Sequence, residues 1–424
     1  MQSKSYLTLF ITLTLIAFFC ASVFNYVIDP YRFFDSTDRP GINEYRHKFF
    51  LGQYVSKPYA LREQAPEAVI LGVSRAGSSL ATDHPGWADT TVYNYAMAGS
   101  TAYLLWRNYQ HAQATSTPEQ IVLMLDFYMF NVHMVQRPTS GHILRYEERL
   151  AVTPDFKENR GYPIRLFKDT LTSLISFEML YESWNTVLAQ DKITKEELYK
   201  STLTPTGFWI NDPPPNKTQR KLFRQVERQY MTVTWYPNPE KKFALYREDG
   251  SSNLVYLRKI IADAHREGVD LRIGFMPFHA RMAEAMRAVD LWDDFELWKK
   301  DVVELIETQA ETAGQQAYSI WDFTGYNTIT TEPVPSSKDK TTRMKWHLDP
   351  SHVTRATGDL IQNRLLGNGG ESYDDFGQKL TSENIDSLTL RTREDRERYI
   401  KKFPQDLEEV LDRAQKTNSW RNPT

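Results

Sequence analysis

Ala68-Val-Ile-Leu-Gly-Val-Ser74-Arg-Ala-Gly-Ser-Ser79 is the stretch on which the reading of this chain turns. The aliphatic run from Val69 to Leu71 has the continuous apolar character of a fully buried strand, and Gly72 allows close backbone approach just before the chain turns. A strand ending this way holds Ser74 rigidly. The Gly/Ser-rich turn behind it exposes the hydroxyl and the neighbouring N–H groups, so Ser74 is a candidate nucleophile. Taken alone, the stretch also fits an ordinary strand-to-helix turn whose serine caps the next helix.

The partners that such a serine needs lie far downstream, in Trp346-His-Leu-Asp349-Pro350-Ser-His352-Val-Thr-Arg-Ala-Thr-Gly-Asp-Leu-Ile361. Asp349 and Pro350 read as the N-cap and first position of a terminal helix, with Val353, Leu360 and Ile361 on its core face. His352 then falls in the first turn. Helix N–H groups disfavour an imidazolium there, so a carboxylate beside it is needed to orient the ring and stabilise the charge it gains as general base. Asp349 is the candidate. The alternative is that Asp349 only caps and His352 lies on the surface.

A serine after the first strand, a glycine turn after the second and Asp-x-x-His at the last helix together resemble the SGNH, or GDSL-like, hydrolase superfamily. The Gly72-Val-Ser74-Arg75 block and the hydrophobic N-terminus look like its membrane-anchored branch, related to periplasmic O-acetylation proteins of alginate-type polysaccharides and to the D-alanyl-transfer protein of teichoic acid modification. The resemblance covers about residues 30 to 366, with a poorly matched middle. It implies an α/β fold, a three-layer αβα sandwich with about five mostly parallel strands. It also implies Ser74 as nucleophile, His352 as base and Asp349 as its orienting carboxylate, with Arg75 among the substrate contacts and no cofactor or metal.

Two further blocks bear on the oxyanion. The second strand, Thr91-Val-Tyr-Asn-Tyr-Ala-Met97, runs into Ala98-Gly99-Ser100-Thr101, similar to the superfamily's second block, whose glycine offers a backbone N–H. Gly99 is equally readable as a turn glycine. The third strand, Ile121 to Asp126, leads into Asp126-Phe-Tyr-Met-Phe-Asn131 where the superfamily has Gly-x-Asn-Asp. Either the loop presents Asn131 as a side-chain donor, or that donor is missing or is another backbone N–H. Asp126 reads as a strand-end carboxylate.

Location is set by the first 30 residues. From Ser5 to Ile28 there is no charged residue, long enough to span a bilayer as a helix. No small-x-small cleavage site stands out, which favours an uncleaved anchor over a signal peptide. Lys4 and the amino terminus are the only charges before it, giving weak support for a domain facing the periplasm or the outside from the inner, cytoplasmic membrane. The 424 residues, 41% hydrophobic and 13% aromatic, suffice for one large α/β core plus an insertion. A net charge of −3 without a basic run argues against nucleic acid, and the single Cys20 excludes an intramolecular disulfide.

Domain organisation is then an anchor at 1–30, an SGNH-like catalytic domain at 31–366 and a charged helical tail at 367–424. Between about 133 and 253 no βα rhythm is readable. This segment holds a Pro-rich knot at 211–216 and a strand-like Met231-Thr-Val-Thr-Trp235, and is too long for a bare loop, so we expect a helical insertion. Its aromatics suit stacking on sugar rings or a small core of their own. Rhythm returns with a helix near 252–267, the strand Asp270 to Met276, Pro277-Phe-His279, a long amphipathic helix and the strand Tyr318 to Phe323. His279 is expected as a substrate-binding or lid contact. His279, His347 and Asp349 could together make a metal site, but no short-spaced His-x-x-x-His motif supports one, so no metal is expected.

The function implied is an extracytoplasmic serine esterase or O-acyltransferase acting on a cell-surface polysaccharide or glycoconjugate. A multi-spanning membrane acyltransferase is the implied partner. The alternative is a non-catalytic polysaccharide-binding or assembly protein on the same fold, suggested by the departure at the third block.

Overall fold

The computed structural model describes residues 2–46, 48–134, 145–195, 197–198, 200–212, 218–236 and 242–421. Two compact units emerge, one from Met1–Gln64, Pro138–Pro205 and Trp209–Pro214, the other from Ala65–Arg137, Thr206–Phe208 and Pro215–Thr424. Among the described residues the strands, in chain order, are β1 (Ala68–Leu71), β2 (Val92–Asn94), β3 (Gln120–Leu125), β4 (Lys200–Leu203), β5 (Trp209–Asp212), β6 (Asp270–Phe275), β7 (Ile320–Asp322) and β8 (Gln378–Leu380).

The second unit is built on one mostly parallel sheet ordered β2-β1-β3-β6-β7-β8. Ala68 pairs with Val92 on one side and Gln120 on the other, and Gln120 in turn with Asp270, all in parallel register. Only β8 runs antiparallel, along β7. Continuous apolar runs are what a sheet covered on both faces requires, and all four residues of β1 are fully buried. Ala68, Ile70, Val122 and Met124 pack with Ala76 and Leu80, with Val353, and with Leu360, Ile361 and Leu365 of the helix Arg355–Leu366. Each Val, Leu, Ile or Met among them contributes about 1.5–3 kcal/mol by leaving water. From β1 the chain steps to β2 on one side, then returns to β3 on the other. That reversal is the switch point beyond whose carboxyl strand ends open α/β sheets bind ligands, and Ser74 directly follows β1 there.

Three sequence expectations change here. The region 367–424 is not an appended tail: β8 closes the sheet, and the helix Pro404–Arg421 is ion-paired to the body, with Arg281 Nη1 reaching Asp406 at 2.8 Å and Glu409 at 3.1 Å. Met231 to Trp235 is not a strand. Despite its β-branched residues it continues the helix Gln219–Gln229 as one π-helical turn, Tyr230–Thr234. The expected insertion, 133–253, is shared between the units, and within it residues 135–144, 196, 199, 213–217 and 237–241, including most of the Pro-rich knot, lie outside the described residues.

The first unit carries the helix Gln2–Ile28, whose stretch Lys4–Ile28 is long and apolar enough to cross a membrane. Beyond it the Asp29 carboxylate accepts from Phe33 N at 2.7 Å and Phe34 N at 3.1 Å, and Arg46 Nε donates to the Asp29 carbonyl at 2.9 Å. The helices Phe49–Gln64, Tyr162–Ile175 and Phe177–Thr194 and the antiparallel pair β4–β5 complete this unit.

Candidate active site

Ser74 opens the short helix Ser74–Ser79 at the end of β1. As the first helical residue its N–H has no preceding helical carbonyl to bond. Gly72 is held so close to Met124 of β3 that a Cβ there would sit 3.2 Å from the Met124 carbonyl oxygen and 2.9 Å from the Ala76 methyl. Asn94, fully buried at the end of β2, donates through Nδ2 to the carbonyls of Ala76 at 3.0 Å and Leu80 at 2.9 Å, fixing the far end of this helix. Both ends of the serine turn are therefore clamped by neighbouring strands.

Ser74 Oγ lies 3.0 Å from His352 Nε2, and His352 Nδ1 lies 2.8 Å from Asp349 Oδ2. A carboxylate only accepts, so Nδ1 carries the proton and Nε2 is left to accept from the serine hydroxyl. The other Asp349 oxygen accepts the backbone N–H groups of Ser351 and His352, each at 2.8 Å. Burial would raise the Asp349 carboxyl, but the adjacent His352 and these backbone donors outweigh it and hold it below the ordinary aspartate range. Ser74 and His352 remain partly exposed, so the chain of hydrogen bonds is accessible from solvent.

The local backbone differs from the sequence reading. Asp349 is not a helix cap and His352 is not in a first helical turn: the helix begins at Arg355 with Thr354 as its N-cap residue. Residues 347–353 form a tight loop closed by the antiparallel bridge between His347 and Val353, with Leu348 N donating to the His352 carbonyl at 2.9 Å. Asp349 bonds the N–H groups of its own turn, the alternative that short polar side chains offer to helix. The helix behind the loop reaches Ser74 because Gly358 abuts the serine helix so closely that a Cβ would overlap the Ser79 carbonyl.

Arg75 was expected among the substrate contacts; it is instead 5% exposed and ion-paired to Asp126 at the end of β3, with Nη1 donating to the Pro277 carbonyl at 3.3 Å. Burial lowers its pKa, opposed by Tyr230, Tyr128 and Asp349, and guanidinium stays charged in any case. It ties the serine turn to the ends of β3 and β6. Gly99 lies on an exposed turn at φ +67°, with open space where a side chain would stand. That turn is drawn to the end of β1 by Met97 N donating to the Gly72 carbonyl at 3.1 Å.

Two expected contacts are not where the sequence put them. Asn131 is fully enclosed, its Oδ1 accepting from His133 N at 3.1 Å and Ala244 N at 3.3 Å, so the side chain fastens a turn rather than facing the serine. His279 is fully buried and caps the helix Ala280–Arg287: Nε2 donates to the Glu332 carbonyl at 2.7 Å and Nδ1 accepts from Arg281 N at 3.1 Å. Burial, then the neighbouring His347, hold its pKa well below the ordinary histidine range, so it is a neutral structural cap without a free nitrogen for substrate.

Sequence reasoning missed the supports of the Asp349–His352 loop. Gln219 Nε2 donates to the carbonyls of His347 at 3.1 Å and Leu348 at 3.0 Å. Tyr230 on the π-helical turn shares a hydrogen bond of 2.7 Å with Ser351, and its ring stands edge-on to Tyr128 and Trp235. π-Helical turns are frequent at functional sites because they re-aim a single side chain. Both residues come from the stretch without βα rhythm, where only a long-range contact could have revealed them. No protein family matches the chain, and no curated protein matches it either.

Proposed function

We propose that this chain is a membrane-anchored serine esterase or O-acyltransferase of the SGNH kind, built on a three-layer αβα sandwich and acting outside the cytoplasm on a cell-surface polysaccharide or glycoconjugate. The observation that carries the reading is the hydrogen-bonded line Ser74 Oγ, His352 Nε2, His352 Nδ1, Asp349 Oδ2, at 3.0 and 2.8 Å, open to solvent at the switch point of the sheet. A nucleophile, a base and a group orienting the base make the arrangement used for acyl transfer.

In that reaction His352 Nε2 takes the Ser74 proton as Oγ attacks the ester carbonyl. The oxyanion is received by the N–H groups of Ser74 and Gly99, and Asp349 stabilises the imidazolium. His352 then returns the proton to the departing alkoxide, leaving an acyl-serine. In the second half an incoming hydroxyl loses its proton to His352 and attacks the acyl carbon, and as the acyl–Oγ bond breaks His352 returns that proton to Ser74 Oγ. Water in this role makes an esterase and a sugar hydroxyl makes an O-acyltransferase. Transfer fits a domain tethered to a membrane, where a multi-spanning partner can deliver acyl groups.

The test is hydrolysis of a small chromogenic acetyl ester by the full chain in detergent, alongside acyl content of the surface polymer in cells carrying Ser74→Ala. Loss of both supports the reading. Unchanged acyl content in Ser74→Ala cells, with the polymer lost only when the whole chain is deleted, supports an assembly role instead.

A further inference from the structure

The helices Tyr162–Ile175 and Phe177–Thr194 of the first unit bury charged and hydroxyl side chains beside a few apolar ones and expose most of their large apolar residues, unlike helices on a water-soluble core. Their buried positions hold Arg165, Asp169 and Ser173 on the first and Glu182, Ser183 and Thr186 on the second. Asp169 collects Arg165, Arg149 Nε at 2.7 Å and the Tyr59 hydroxyl at 2.7 Å. Outward, at intervals of three and four residues, point Ile164, Phe167 and Leu171, then Phe177, Tyr181 and Trp184. Phe177 is 86% exposed, Phe167 64% and Trp184 58%. Residues at that spacing share one helix face. Large apolar side chains exposed in such stripes, with only Lys168 and Glu178 exposed among them, mark a surface that meets something other than water.

What covers it follows from where the pair is attached. Asn25, near the end of the apolar helix, donates through Nδ2 to the Leu174 carbonyl at 2.9 Å and accepts from the Ser183 hydroxyl at 2.9 Å, and Phe24 packs on Trp184 with ring centroids 6.5 Å apart. The stretch Lys4–Ile28 has 25 residues. About 20 residues suffice for the hydrocarbon core, so the end holding Phe24 and Asn25 falls at the headgroup level. There the paired helices hold out an apolar face with Trp and Tyr on it, the composition of a membrane–water boundary. With 14 and 18 residues and buried charges they are not spanning helices; they have the make-up of helices lying in the interface.

We infer that residues 162–194 form an interfacial helical hairpin that sinks its Ile164–Leu171 and Phe177–Trp184 stripes into the lipid leaflet beside the membrane-spanning helix, so that the first unit is a two-part membrane platform. The inference stands on this unit alone and is independent of the acyl-transfer reading. It fixes the unit against rotation about a single helix.

Spin labelling of the full chain in vesicles of phosphatidylcholine and phosphatidylglycerol tests it. Native Cys20, in the apolar helix, supplies the in-bilayer reference. In a Cys20→Ser background, Leu171→Cys, Phe177→Cys and Trp184→Cys are each labelled. Their side chains are exposed, so folding should survive the changes, and an unchanged thermal midpoint checks it. The expected result is that oxygen relaxes all three labels more effectively than a water-soluble nickel chelate, as at Cys20. Stronger relaxation by the nickel chelate overturns the inference. So does suppression of both collisions with an immobilised spectrum, which would mean a protein surface covers the stripe.

Discussion

The hydroxyls of Tyr230 and Ser351 meet at 2.7 Å, one residue before His352 in the chain. Burial raises the Tyr230 pKa, with Arg75 opposing, so the phenol is a neutral partner that links the π-helical turn to the loop bearing His352. Tyr230→Phe removes that link and leaves the ring packed on Trp235. A neutral hydrogen bond contributes about 0.5–1.5 kcal/mol net, so kcat for a small acetyl ester should fall about 2- to 10-fold with KM unchanged. An unaltered kcat would remove Tyr230 from positioning the loop.

Gly358→Ala should weaken both stability and reactivity. Alanine gains about 1 kcal/mol of helix propensity over glycine. The added methyl, however, overlaps the Ser79 backbone carbonyl, which no rotamer relieves. Overpacking of this kind costs about 1–3 kcal/mol, and a backbone clash belongs at the upper end. The thermal midpoint should drop, and ester hydrolysis should drop further than folding alone accounts for, because the helix behind His352 is pushed away from Ser74. Equal activity per folded molecule would contradict this.

Asp349→Asn should lower kcat by roughly 10²- to 10⁴-fold while leaving the fold intact, since it mis-orients the base without deleting it. The same substitution has a pH signature. The folded carboxyl is held below its ordinary value, so its stabilising contribution is complete above about pH 4 and drains away as pH falls through the lower folded value. The stability gap between wild type and Asp349→Asn should therefore be constant at neutral pH and shrink below about pH 4. A gap that widens in acid would contradict the assigned role.

The C-terminal helices should be the acid-labile part of the second unit. Burial alone would raise Glu409, but Arg224 and then Arg281 and Arg220 outweigh it and bring the carboxyl down to about 2. Its contribution is then full above an unfolded value of about 4.3 and lost toward pH 2. Arg281, fully buried between Glu227 at 2.7 Å and Asp406 at 2.8 Å, is the neutral-pH counterpart. Arg281→Ala leaves Glu227 buried and under-compensated, a loss of roughly 3–5 kcal/mol, at the lower end because Arg413 also approaches it. Hydrogen exchange should show residues 385–421 losing protection first in both cases; simultaneous loss across the sheet would contradict a separable closure.

The parts of the site readable in the sequence are those whose geometry is local. An apolar run ending in Gly-x-Ser states a strand and its turn, and Asp349 three residues before His352 places carboxylate and imidazole within reach whatever the backbone between them. The error at that point, helix instead of loop, left the pairing intact because both conformations bring residues three apart together. The rest was set by contacts distant in sequence. Arg75 is consumed by Asp126 and Pro277, His279 is enclosed by Glu332 and His347, and the loop is braced by Gln219 and Tyr230, none of which leaves a local pattern. Gly358 reads in sequence as a helix-weakening residue, and its reason appears only against Ser79. The tail misled because charged helical faces suggest solvent, whereas here many of the charges meet partners on the body.

The central claim is that Ser74 is a nucleophile activated by His352. It is tested most directly by treating the full-length protein with a fluorophosphonate and locating the adduct by mass spectrometry. The account predicts one phosphonyl group per molecule on Ser74, with labelling abolished in Ser74→Ala and nearly abolished in His352→Ala, because the imidazole accepts the serine proton. No adduct in folded wild-type protein, or equal labelling of wild type and His352→Ala, would contradict it.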